Sequence, residues 1–186
     1  MSVAEVFTSI TKKMVEGLMF HSQLSDFFLF LGLKGYAQCQ KYHYFEESCN
    51  YKKFGEYYLT HYNKIVAEDR YSNPNVIPKD WGKYTRADVD PSTRKTNIQV
   101  GFEKWVSWET EVKQEYERLY KELIELNEVA AATELQKYIA EVDEELASAT
   151  QKWLELKAMD WNICDIVNEQ DHYYKEYSKK IKSLTY

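Results

Sequence analysis

Residues 68–90 read EDRYSNPNVIPKDWGKYTRADVD. Asn73-Pro74 and Ile77-Pro78 exclude helix at those points, because proline removes an amide donor and pushes the preceding residue out of the helical region. Trp81-Gly82 adds a third break. The segment reads as irregular connection, longer than an ordinary helix–helix loop. At about 3.3 Å per extended residue it can run the whole length of a neighbouring helix. Asp90-Pro91 closes it with an N-cap and a first-turn proline.

Outward from this segment, helix breakers are scarce. The chain of 186 residues has six glycines and three prolines, and the 85 residues after Gly101 contain neither. An all-α fold follows. Upstream, Ser2 and Glu5 form a capping box. Val3, Phe7, Ile10, Met14, Leu18, His21, Ser25 and Phe28 then mark one buried stripe at three- and four-residue steps. Gly32 can take the left-handed conformation that ends a helix, and so short a turn sends the next helix back antiparallel. That second helix is expected from about Tyr36 to Ala67 and is rich in aromatics.

Downstream, a third helix is expected from Pro91 to near Asn127, with Gly101 as a weak point. Its stripe is Ile98, Phe102, Trp105, Glu109, Val112, Tyr116, Leu119, Leu123 and Leu126. Thr133 and Gln136 are read as the capping box that opens the fourth helix. This helix carries Leu135, Tyr138, Val142, Leu146, Ala149, Trp153 and Leu156. A last helix, about Trp161 to Lys182, is either separate or a bent continuation of the fourth. One domain, 1–186, accommodates all of this. Two helix pairs joined by one long crossover, or an up-down bundle with a long loop, both remain open; the length of the connection favours the first.

Composition narrows function. The net charge is -6, with 30 Asp+Glu against 24 Lys+Arg. Nucleic acid is not the expected partner, although Lys175, Lys179, Lys180 and Lys182 alternate with tyrosines near the end. No stretch approaches the twenty apolar residues of a membrane span. Three cysteines without a CxxC pair suit a reducing, cytoplasmic setting. No phosphate-binding glycine loop, nucleophile elbow or HExxH zinc motif occurs. Cys49, among aromatics, suits a small buried hydrophobe better than a nucleophile. The sixteen tyrosines point to self-association or a protein partner.

Polar residues on buried stripes near helix midpoints are the candidates for chemistry, since bundle metal sites form there. His21 is a candidate ligand, although a lone His on an apolar face is more often a satisfied core residue. His43, Glu47 and Asn50, spaced four and three, share one face of the second helix. Glu47 is either a ligand or part of a buried network with His21 or His43. Glu109 lies on the third stripe, and Glu145 borders the Tyr138–Val142–Ala149 face. Glu141 and Glu144 read as solvated.

The stretches His21-Ser22-Gln23-Leu24-Ser25-Asp26-Phe27, Leu31-Gly32-Leu33, Tyr44-Phe45-Glu46-Glu47-Ser48 and His61-Tyr62 together resemble the first helical hairpin of ferritin-like proteins, most of all the small members from bacteria and their phages. The resemblance implies an intracellular, often oligomeric four-helix bundle with a carboxylate-bridged di-iron centre, to which the reading of the residues adds one long crossover at about 68–90 and an extra C-terminal helix. It sets the family's first-helix carboxylate at or near His21, its second-helix Glu on Glu47 and its His on Asn50. With two of these three positions changed, the favoured expectation is a non-catalytic bundle acting by self-assembly or partner binding, without cofactor. The alternative is a protein that binds or oxidises iron or another transition metal, with His21, Glu47, Asn50, Glu109 and Glu145 as metal positions.

Overall fold

The computed structural model describes residues 1–66, 71–78 and 83–184. Five α-helices carry the fold: α1 (Val3–Phe30), α2 (Lys34–Tyr62), α3 (Pro91–Glu125), α4 (Val129–Ala158) and α5 (Ile163–Leu184). No strand occurs among the described residues.

The ends of the helices follow from local chemistry. Ser2 caps α1 through a complete capping box with Glu5, and Gly32, at φ 82°, turns the chain into α2. Asn63 takes the left-handed conformation and ends α2 at Tyr62, short of the expected Ala67, which lies outside the described residues. Asp90 accepts from the Ser92 and Thr93 amides to open α3. The expected start of α4 at Thr133 is corrected. Asn127, at φ 59°, breaks the chain first, so α4 begins at Val129 and the Thr133 hydroxyl merely bonds back to the Val129 carbonyl. Gly101 is no weak point, since α3 runs through it unbroken. A side chain there would press within 2.7 Å of the Phe28 ring, so the glycine allows α1 and α3 to approach. Asp160 and Trp161, both at positive φ, make α5 a separate helix folded back on the bundle.

Cross-helix contacts fix the directions. Phe28 meets Phe102, Phe20 stacks on Trp108 and Lys13 pairs with Glu111, so α3 runs antiparallel to α1. Because α2 is also antiparallel to α1, α2 and α3 are parallel. An up-down bundle would make them antiparallel, so the long crossover is a necessity of the fold. Its described part climbs along α1. The Ser72 amide donates to Glu16, the Val76 amide to Gln23, and Arg86 to the Leu29 carbonyl. Val76 is fully buried. Residues 68–70 and 79–82 of this crossover, Trp81-Gly82 among them, lie outside the described residues.

A continuous apolar core fills the bundle, led by Phe7, Phe28, Tyr36, Phe54, Phe102 and Tyr116. Against this background the buried polar residues stand out: His21, Gln40, His43, Glu47, Asn50 and Glu109.

Candidate metal centre

Each of the four main helices aims a polar side chain at one level of the bundle. The stripe of α1 puts His21 in the core with no exposed surface, and the stripe of α3 puts Glu109 opposite it. The nearest approach is His21 Nε2 to Glu109 Oε1, 3.7 Å. On α2, His43 and Glu46 are neighbours across a turn. His43 Nδ1 lies 3.4 Å from Glu46 Oε2 and 3.1 Å from Glu145 Oε1 of α4. The two imidazole rings sit 5.3 Å apart.

Both imidazoles are held by the nitrogen that faces away from the carboxylates. His21 Nδ1 donates to Gln40 Oε1 at 2.8 Å, and His43 Nε2 meets Cys39 Sγ at 3.6 Å. The nitrogens on the other side, His21 Nε2 and His43 Nδ1, are buried and complete no hydrogen bond. A neutral imidazole tethered by one nitrogen offers a lone pair at the other, which is how metal-ligating histidines are oriented. Two lone pairs directed at carboxylate oxygens in a dry interior repel, unless a cation or protons lie between them.

The electrostatics agree. Burial, reinforced by Glu145, holds Glu109 well above the usual carboxylate range, and burial with Glu145 and Glu46 does the same to Glu47. Burial and the charge of His43 depress His21 to about 3. Burial also works against a charged His43, but the Glu145 carboxylate outweighs it and raises this imidazole overall. Glu46 is the exception among the acids: burial alone would raise it, but His43 and the Tyr42 hydroxyl, 2.8 Å from its Oε1, keep it low. Buried acids that resist ionisation, beside an imidazole that holds its proton more tightly, form a site that favours added positive charge.

Two groups have ligand atoms mutually within 4.8 Å: His21, Glu109 and Glu145, and His43, Glu46 and Glu145. Glu145 belongs to both. Three of the five residues singled out from the sequence, His21, Glu109 and Glu145, thus come together. Glu47 is buried beside them, its Oε1 in a space left open by Gly17, where a side chain would come within 3.1 Å. Asn50 turns to another partner, its amide donating to Glu141 Oε2 at 2.9 Å. Sequence reasoning took His43 only as a network partner and passed over Glu46; their three-residue spacing was the signal. The expected pairing of Glu47 with either His is not what holds the rings, since Gln40 and Cys39 do that.

Solved structures share this arrangement of helices. A novel open-pore ferritin from the hyperthermophilic archaeon Archaeoglobus fulgidus superimposes with a TM-score of 0.74 at 18% identity, over 94% of this chain and 98% of that one. The fold is ferritin-like. A closed form of the Archaeoglobus fulgidus ferritin, engineered by site-directed mutagenesis, gives 0.74 and 18% over 94% and 96%; a humanized archaeal ferritin gives 0.75 and 17% over 92% and 94%. No protein-family model and no curated protein sequence matches the chain. In this ferritin-like bundle the polar cluster lies where all four main helices meet, and no described helix is long and apolar enough to cross a membrane.

Proposed function

We propose that the chain is a metal-binding ferritin-like protein whose buried centre holds a pair of transition-metal ions bridged by Glu145. The observation that carries this is the membership of one carboxylate in two ligand groups. His21 and Glu109 would hold one ion, and His43 and Glu46 the other. Mixed imidazole and carboxylate donors suit iron, manganese or zinc. A redox-active ion such as iron supplies one-electron chemistry when bound. In the metal-free protein burial favours the protonated form of Glu109 and Glu47, and cation binding would release those protons. Gln40 and Cys39 orient the rings, and the buried Phe20 and Trp105 rings, 5.2 Å from His21 and 5.9 Å from His43, help exclude water.

The test is direct. Protein purified without chelator is loaded anaerobically with Fe(II), desalted and assayed for iron, manganese and zinc. About two ions per chain are expected, one for each ligand group. Glu145→Gln should lose both, and Glu109→Gln chiefly one. Wild-type protein that retains no metal after loading rules the proposal out.

Assembly is compatible with this reading. Tyr44, Tyr51 and Leu59 form an exposed stripe on α2, with open space over Gly55 between them. Such a stripe suits burial against another chain. We propose a homo-oligomer, with light scattering after size exclusion as the check; a monomer at high concentration would exclude it.

A further inference from the structure

One recess of about 200 Å³ opens on the cluster, between α2, α4 and α5. Its walls carry Glu46, Glu141, Glu144 and Glu145, and its inner end carries His43. A larger groove of about 800 Å³ lies between α1 and α3, but neither His21 nor Glu109 is among its described lining residues. The recess therefore opens on three of the candidate ligands, His43, Glu46 and Glu145.

Its outer edge is closed by α5. Among its described lining residues Lys180 is the one lysine or arginine. The Lys180 ammonium lies 4.5 Å from the centre of the Tyr177 ring and 5.7 Å from that of Tyr42, and it pairs with Glu176 at 2.8 Å. Tyr42 in turn donates to Glu46. The inner end has the opposite character. His43 Nδ1 is buried there without a hydrogen-bond partner, and it lies within 3.4 Å of two carboxylates.

We propose that this recess is the path by which a divalent cation reaches the centre, and that Lys180 is the residue that sets the rate of access. The inference rests on the metal-binding reading above. A funnel of one charge sign with low-dielectric walls concentrates ions of the opposite sign. A fixed ammonium at its lip opposes the incoming cation and lowers that gain. Glu141 and Glu144, read from the sequence as merely solvated, acquire the role of drawing the cation inward. Lys180 is a gating residue and not a ligand, so its loss alters rate and leaves occupancy alone.

Stopped-flow mixing with Co(II) tests this, with quenching of tryptophan emission as the readout; the Trp105 ring lies 5.9 Å from that of His43. Lys180→Met keeps the aliphatic stem over the rings and removes the charge. Its association rate should rise about threefold or more at low salt, and the gain should shrink at high salt. Lys180→Arg should keep the wild-type rate, and Glu144→Gln should slow it. The ratio of Co(II) to chain at equilibrium should stay the same in all three. Wild-type binding with unaltered rates in Lys180→Met and Glu144→Gln would overturn the path while leaving the centre standing. A gain indifferent to salt would overturn the charge role of Lys180. Failure of wild-type protein to bind Co(II) would overturn both the path and the metal-binding reading.

Discussion

His21 and His43 share one local design. Each is tethered from α2 through the nitrogen turned away from the acids, His21 by Gln40 and His43 by Cys39. Removing a tether should loosen the ring without removing the ligand. Gln40→Ala is expected to weaken Co(II) binding by about tenfold to a hundredfold, as loss of such outer partners commonly does, and titration by tryptophan quenching would show it. His21 and Glu109 were legible in the sequence because they interrupt apolar stripes near helix midpoints, where burial is forced by their neighbours. Glu46 was not legible. Next to it Glu47 falls on the more buried line of α2, and periodicity alone cannot show that the Glu46 side chain bends inward, held by Tyr42 and His43. Gln40 was missed for a similar reason, since a neutral amide in a polar helix gives no signal until its partner is known.

At the scale of the helix, close approach explains more than propensity. Gly35, in the first turn of α2, lies against α5, where an added side chain would come within 2.1 Å of the Gln170 carbonyl oxygen. The same residue donates its amide to the Gln170 side chain. Gly35→Ala should therefore push α5 away, even though alanine favours helix. Overpacking of this kind costs about 1–3 kcal/mol. The expected outcome is a lower melting temperature together with faster proteolysis near residues 159–162; an unchanged digestion pattern would mean that α5 is held elsewhere. The sequence left the standing of α5 open because neither glycine nor proline marks its start. The break is made instead by Asp160 and Trp161 at positive φ, a conformation that composition does not announce. The same blind spot moved the expected start of α4 to Thr133. A capping pattern there was plausible, but Asn127 had already ended α3 and allowed the next helix to begin a turn earlier.

Over the whole molecule, the polar cluster ties stability to pH. In metal-free protein Glu47, Glu109 and His43 have raised folded-state values. Their contributions are present at low pH and fade as pH rises through those values. His21 acts oppositely: its folded value, about 3, lies below its ordinary 6.5, so it costs stability increasingly as pH falls from 6.5 toward 3, and in full below that. Above about pH 6.5 His21 no longer titrates, and the melting temperature of the metal-free protein should fall as the pH is raised, because His43 holds its proton above that value only in the fold. Glu47→Gln should flatten that slope; a slope equal to that of the wild type would mean that Glu47 is ionised throughout. Fold class was legible because the crossover is too long for a simple turn. Its necessity was not, since only three-dimensional contacts reveal that α2 and α3 point the same way.

The ligand groups draw on α1, α2, α3 and α4 together. No hairpin of this chain holds a complete set, so a grip on an ion would exist only when helices of both hairpins are assembled. Cargo seated there would work as a rivet through separate rods. At a free concentration a hundred times the dissociation constant it would stabilise the fold by about 2.7 kcal/mol, and unfolding the chain would set that cargo loose.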